Sequence, residues 1–245
     1  MSSLTYTRFE MLRTLRNRRF LLFSLIFPLI LYYVVAGPNR KVSNFDGSGI
    51  SLPVYYMVGM ASFGTMATML SCGARIAAER SVGWNRQLRI TPLAPSAYFR
   101  AKVLTAYMMA AISLAALYSA GLSLGVSLSA SRWLAMTSLI LVGLIPFAAL
   151  GVAIGHLLTP DSIGSALGGS ISLLALLGGV WFPLSSHGFL HGFAQFIPSY
   201  WLVQASHVVL GGPAWPARGW IVMAAWTVFL GLLARAMYRR DTGRV

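Results

Sequence analysis

Glu10, Asp46, Glu79, Asp161 and Asp241 are the only acidic residues in a chain of 245. None falls in the middle of a long apolar stretch, where an ion-coupled transporter needs buried carboxylates or unwound helices. His187 and His191 have the i, i+4 spacing of two ligands on one helix face, but no acid stands near as third ligand or base. The pair reads as a polar edge, and no metal site is assigned. Cys72, the one cysteine, cannot form a disulfide within the chain and reads as a packing residue. Ser62, Ser113 and Ser172 are expected to bond back to their own helix backbone rather than attack a substrate. No G-x-x-x-x-G-K-[ST] loop is present to cradle phosphates, so the chain is not expected to hydrolyse ATP, and no catalytic residue is assigned.

The strongest concentration of chemistry is cationic. Arg75, Arg80, Arg86, Arg89, Arg100 and Lys102 gather around "ERSVGWNRQLRITPLAPSAYFRAK", interrupted by Pro92 and Pro95. A formal charge of +14 would suggest nucleic acid for a soluble protein. Here 57% of residues are hydrophobic and the mean hydropathy is +0.70, so the cations read as loops held against anionic lipid, with no nucleic-acid partner.

The elements that must position these residues are membrane helices, and the fold class expected is an all-α polytopic membrane protein forming one domain over 1–245. Residues 1–19 read as an interfacial amphipathic helix, with Leu4, Met11 and Leu15 in one stripe, Leu12 beside it and Arg8 intruding. Apolar spans follow at 20–37, 53–74, 97–127, 133–157, 162–182 and 216–238. The second is rich in small residues and should face protein rather than lipid. A further apolar segment within 183–215 is broken by Pro198 and reads as an external, partly inserted hairpin. With six crossings and an inside N-terminus, the inside segments hold 15 of the 19 Arg and Lys, leaving Arg40, Lys41, Arg132 and Arg218 outside. A seventh crossing would spoil this asymmetry by placing the basic C-terminal tail, 239–245, outside.

The loop 79–95 lies inside on this count. Pro92 and Pro95 end any helix begun near Ser81, which leaves a short helix across the membrane surface with Trp84, Arg86 and Arg89 available to a partner. "AAERSVGWNRQLRITPLAPSAYFRAKVL" resembles the loop after the second span in the type-2 permease family of ABC exporters. There an acidic-basic-x-x-Gly run precedes a coupling helix, then Thr-Pro-Leu, then a Lys-containing start to the third span. Glu79, Arg80, Gly83, Leu88, Thr91, Pro92, Leu93 and Lys102 match that pattern. "RTLRNRRFLLFSLIFPLIL" is similar to the family's connecting helix and first span, with Pro28 in mid-span. "LLGGVWFPLSS" and "FIPSYWLVQA" are similar to its fifth span and hairpin, with Phe182, Pro183 and Pro198 at the turns. Two departures are visible: the loop 38–52 is too short for the external domain of larger relatives, and Trp84 stands where a small or hydroxyl residue is common.

The resemblance implies the membrane half of an exporter of drugs, antibiotics or lipid-like molecules. It implies two copies of a separate ATP-binding subunit that holds ATP and Mg, no cofactor on this chain, and pairing with a second copy or close paralogue around a path lined by spans two and five. The site residues it implies for coupling to the ATPase are Glu79, Arg80, Gly83, Trp84, Arg86, Leu88, Arg89, Thr91 and Pro92, in a multi-pass protein of the bacterial inner membrane with both termini cytoplasmic. A non-transport assembly or scaffold subunit is the alternative.

Overall fold

The computed structural model describes residues 3–84, 87, 95–182, 184, 188–211 and 214–242. Among these residues the chain is helical and contains no strand, as a bilayer demands of an open chain whose backbone groups must find partners within each segment. Helix α1 is Ser3–Leu15. Helix α2 joins Arg18–Leu21, a π-helical turn Leu22–Ile26 and Phe27–Ala36. Then come α3 (Leu52–Ser81), α4 (Pro95–Ser123), α5 (Ala130–Gly143), α6 (Ile145–Leu157), α7 (Pro160–Leu177), the short α8 (Phe189–Ala194) and α9 (Pro198–Gln204), and α10 (Ala217–Thr242). Among the described residues four stretches are long and apolar enough to cross a membrane, Leu52–Ser81, Ala97–Ser123, Ala130–Leu157 and Ala217–Arg240, and two shorter apolar helices accompany them.

Several boundaries differ from those expected, and the segment 53–74 runs on as helix to Ser81. The segment 97–127 stops being helical at Ser123, because Gly125 takes a left-handed φ of +89° and the Val126 amide reaches back to the Gly121 carbonyl at 3.0 Å. The segment 133–157 begins earlier, at Ala130, and is interrupted at Leu144, two residues before Pro146, whose ring removes a ladder donor. The segment 162–182 is helical only to Leu177. Ser113 also departs from expectation. It donates not to its own helix but to the Ser24 carbonyl at 3.3 Å, inside the π-helical turn where the regular ladder is out of step.

Helix α3 is the centre of the bundle, with 89% of its apolar stretch buried. Its small residues permit this, as expected. Gly73, Gly151 and Gly155 bring α3 and α6 into backbone contact: a Cβ added to Gly73 would lie 2.2 Å from the Gly151 carbonyl oxygen, and one added to Gly155 would lie 2.6 Å from the Gly73 oxygen. Neither neighbour is a side chain able to swing aside. Gly73→Ala is therefore expected to force the helices apart and cost about 1–3 kcal/mol, read as a lowered unfolding midpoint of the purified chain; an unchanged midpoint would refute the close contact.

At the end of α3 opposite Ser81, α9 is wedged among three helices. Pro198–Val203 are all buried, and glycines receive their bulk: Gly178 meets Ser199, Gly219 meets the Trp201 ring and Gly143 meets Leu202. Pro198 opens α9, where its missing N–H costs nothing. Phe182 is 66% exposed, and Phe189, Leu190 and Phe193 of α8 are exposed with it. Pro183 lies outside the described residues.

Candidate coupling site

The α-helical period puts residues four apart on one face, and on α1 the face that enters the protein is Tyr6, Glu10 and Thr14, all buried. Leu4, Phe9, Leu12 and Leu15 are exposed. The helix is amphipathic with its polar stripe inward, and the apolar stripe expected from Leu4 to Leu15 faces away from the protein. Arg8 is exposed as well.

Glu10 meets two further charges from distant parts of the chain. Glu79, in the last turns of α3, is only 2% exposed, and Lys102, in the second turn of α4, is 1% exposed. The Lys102 ammonium donates to Glu10 Oε1 at 2.5 Å and to Glu79 Oε1 at 2.6 Å. Arg13 Nη1 reaches Glu79 Oε1 from outside at 3.0 Å with its side chain 60% exposed, and the Tyr98 hydroxyl donates to Glu79 Oε2 at 2.7 Å. Arg75 lies 3.6 Å from Glu10 Oε1 and donates to the Thr14 hydroxyl, which itself donates to the Glu10 carbonyl at 2.8 Å. The ammonium also sits 5.3 Å from the Tyr98 ring centre, a favourable placement for a desolvated cation.

One ammonium thus ties α1, α3 and α4 together. Ions withdrawn from water cost several kcal/mol each, and mutual attraction repays this only where geometry is good and the remaining valences are filled. Both conditions hold for Glu79, since each of its oxygens has a donor. Burial, reinforced by the Glu79 and Glu10 charges, pushes the Tyr6 phenol well above its ordinary range, so it stays neutral beside them. The cavity against Glu10, Cys72, Lys102 and Thr105 measures about 10 Å³, room for no more than about one water. The site accordingly fixes helices and cannot enclose an organic substrate.

The remaining expected coupling residues fall in several places. Arg80 points away from the cluster and donates to the Gly155 carbonyl of α6 at 2.9 Å. Gly83 has φ +71° and a Cβ there would meet none of the described residues within 4 Å, so it serves the left-handed exit from α3. Trp84, expected to be available to a partner, is half-buried beside Tyr6 of α1. Arg86, Leu88, Arg89, Thr91 and Pro92 lie outside the described residues. Glu10 was not foreseen as part of the site, and Lys102 only as a matching letter. The available signal was scarcity: Glu10 is one of five acids and Lys102 one of two lysines, each in a setting that offers an apolar alternative.

Comparison with known proteins supplies the family. The family model described as ABC-2 type transporter matches residues 3–210. The chain is also 29% identical over 237 residues, 95% of each protein, to "Putative transport permease YvfS" of Bacillus subtilis (strain 168). The chain belongs to the ABC-2 type transporter family. It is a multi-pass membrane permease that works with an ATP-binding subunit.

Proposed function

From that membership, we propose that the chain is the permease of an ABC exporter that moves a hydrophobic or amphipathic molecule, a drug, antibiotic or lipid, out of the cytoplasm or inner leaflet. The observation that carries this reading is the buried junction of Glu10, Glu79 and Lys102. It links α1 to the ends of α3 and α4 that flank the basic loop, so a push on that loop would displace three helices together. Two copies of the ATP-binding subunit hold ATP and Mg and supply the push; this chain holds no cofactor. Two permease chains, identical or closely related, form the path. Because α3 is enclosed within its own chain, the path between chains draws on α7, whose Gly164, Gly168 and Ser172 are exposed and of a size that lets helices approach closely.

The purified single chain should turn over no ATP, whereas the complex with its ATP-binding subunit should do so and respond to a transported compound. Turnover by the single chain that survives removal of contaminants would refute the proposal, as would failure of any ATP-binding subunit to co-purify.

Six crossings, with both termini cytoplasmic in the bacterial inner membrane, follow from the 15 inside cations and agree with the short apolar helices Ser24–Ala36 and Asp161–Leu177 acting as spans one and five. Cysteines introduced at Ser2 and Gly192 after Cys72→Ser should react with an impermeant maleimide from opposite sides. Reaction of both from one side excludes the arrangement.

A further inference from the structure

Two adjacent tyrosines at the far end of α3 hold the turn that ends α7. The Tyr55 hydroxyl donates to the Gly179 carbonyl, and the Tyr56 hydroxyl donates to the Trp181 carbonyl at 2.9 Å. One acceptor belongs to a left-handed glycine stop and the other lies just beyond it: Gly179 has φ +75° and the Val180 amide reaches back to the Ala175 carbonyl at 3.0 Å. Carbonyls beyond such a stop are turned out of the helix and must find donors elsewhere. Phe45 covers the two phenol rings at 5.4 and 5.6 Å. One and two turns further along the same face of α3, Gly59 admits the Val180 carbonyl, 3.2 Å from where a Cβ would sit, and Phe63 packs edge-on against Trp181 at 5.5 Å.

The opposite end of the same helix carries Glu79 and Arg80. From Tyr56 to Glu79 α3 runs unbroken, about 35 Å at 1.5 Å per residue. Pro53 sits harmlessly in its first turn, and every residue from Leu52 to Leu70 is buried. A close-packed helix of this kind has no slack in which to absorb a displacement locally.

We propose that Tyr55 and Tyr56 are positioning residues that make the Gly178–Phe182 turn follow α3, so that movement of the Glu79 end is delivered to the turn at the far side of the bundle. The linkage stands on the geometry of one chain; its use in export rests on the permease reading above. Tying the turn to the tyrosines keeps the far end closed while the ion junction is intact, and displacing α3 withdraws both donors at once.

The test is hydrogen exchange of the whole chain in lipid nanodiscs, without the ATPase, so that a failed partnership and a failed linkage give different results. Glu79→Gln should speed exchange of the Val180 and Trp181 amides by about threefold or more, a local opening at a distance. In the Tyr55→Phe/Tyr56→Phe chain the turn should exchange faster from the outset, and adding Glu79→Gln should change it less than about 1.5-fold, because the connection is already cut. Should Glu79→Gln fail to accumulate, Arg13→Gln perturbs the same junction from its exposed side. A turn indifferent to the junction variant overturns the proposal, and so does an effect of Glu79→Gln that persists undiminished in the double-phenylalanine chain.

Discussion

Replacing Lys102 by Met is expected to destabilise the folded chain by about 3–5 kcal/mol, the usual consequence of removing one partner from a buried ion cluster. The methionine fills similar space, so the loss is electrostatic. Glu10 and Glu79 would face one another across the vacated position; Arg75 stands 3.6 Å from one, and the half-solvated Arg13 is the other's remaining cation. The measurement is the unfolding midpoint of the purified chain at a fixed scan rate, since membrane proteins often unfold irreversibly. The neutral combination Lys102→Met, Glu10→Gln, Glu79→Gln should recover most of the loss, because an apolar or neutral replacement of a whole buried cluster is often tolerated. A Lys102→Met chain as stable as the parent would show that the ammonium contributes nothing net.

Glu79→Ala is expected to abolish transport and also to weaken the fold. From sequence alone Glu79 reads as a charge at the membrane surface, whose removal should spare folding and damage only coupling. Burial changes that expectation. The carboxylate accepts from Lys102, Arg13 and Tyr98, and its loss strands the Tyr98 hydroxyl while leaving Lys102 with Glu10 alone. Hydrogen bonds to charged groups contribute about 1.5–3 kcal/mol each, and loss of one partner from a buried ion cluster costs about 3–5 kcal/mol, so the latter is the expected scale of the loss in stability. Glu79→Gln separates the two effects: the amide oxygen still accepts, the shape is kept, and most of the stability should return while transport stays low. Transport by Glu79→Gln at the parent's rate, with the complex assembled normally, would show that the charge at this position is structural only.

Much of this protein was legible because the bilayer restricts what a chain can be. Apolar stretches of about 20 residues, Pro and Gly at their ends and a one-sided distribution of Arg and Lys are properties of segments, and each segment must satisfy its own backbone. The small residues of 53–74 likewise announced a helix that packs against protein, and α3 is enclosed accordingly. Local backbone chemistry that sequence leaves degenerate was read less well. Gly125 and Gly179 end their helices sooner than hydropathy suggests, since an apolar run continues past a left-handed stop without changing character.

The ion junction could not be read in the same way. Glu10, Glu79 and Lys102 are far apart in sequence, and which face of α1 turns inward depends on what its neighbours offer, not on its own pattern. Considered alone, α1 shows only its apolar stripe from Leu4 to Leu15; against α3 and α4 it buries Tyr6, Glu10 and Thr14, because a carboxylate already partnered by a buried ammonium is cheaper to enclose than one left to find its own. The same holds for Tyr55 and Tyr56, whose partners are backbone carbonyls and leave no trace in side-chain identity. Sequence by itself determined the solvent, the helices and the side of the membrane expected for each loop; only the tertiary structure decided which charges meet, since that is fixed by three helices arriving at one point.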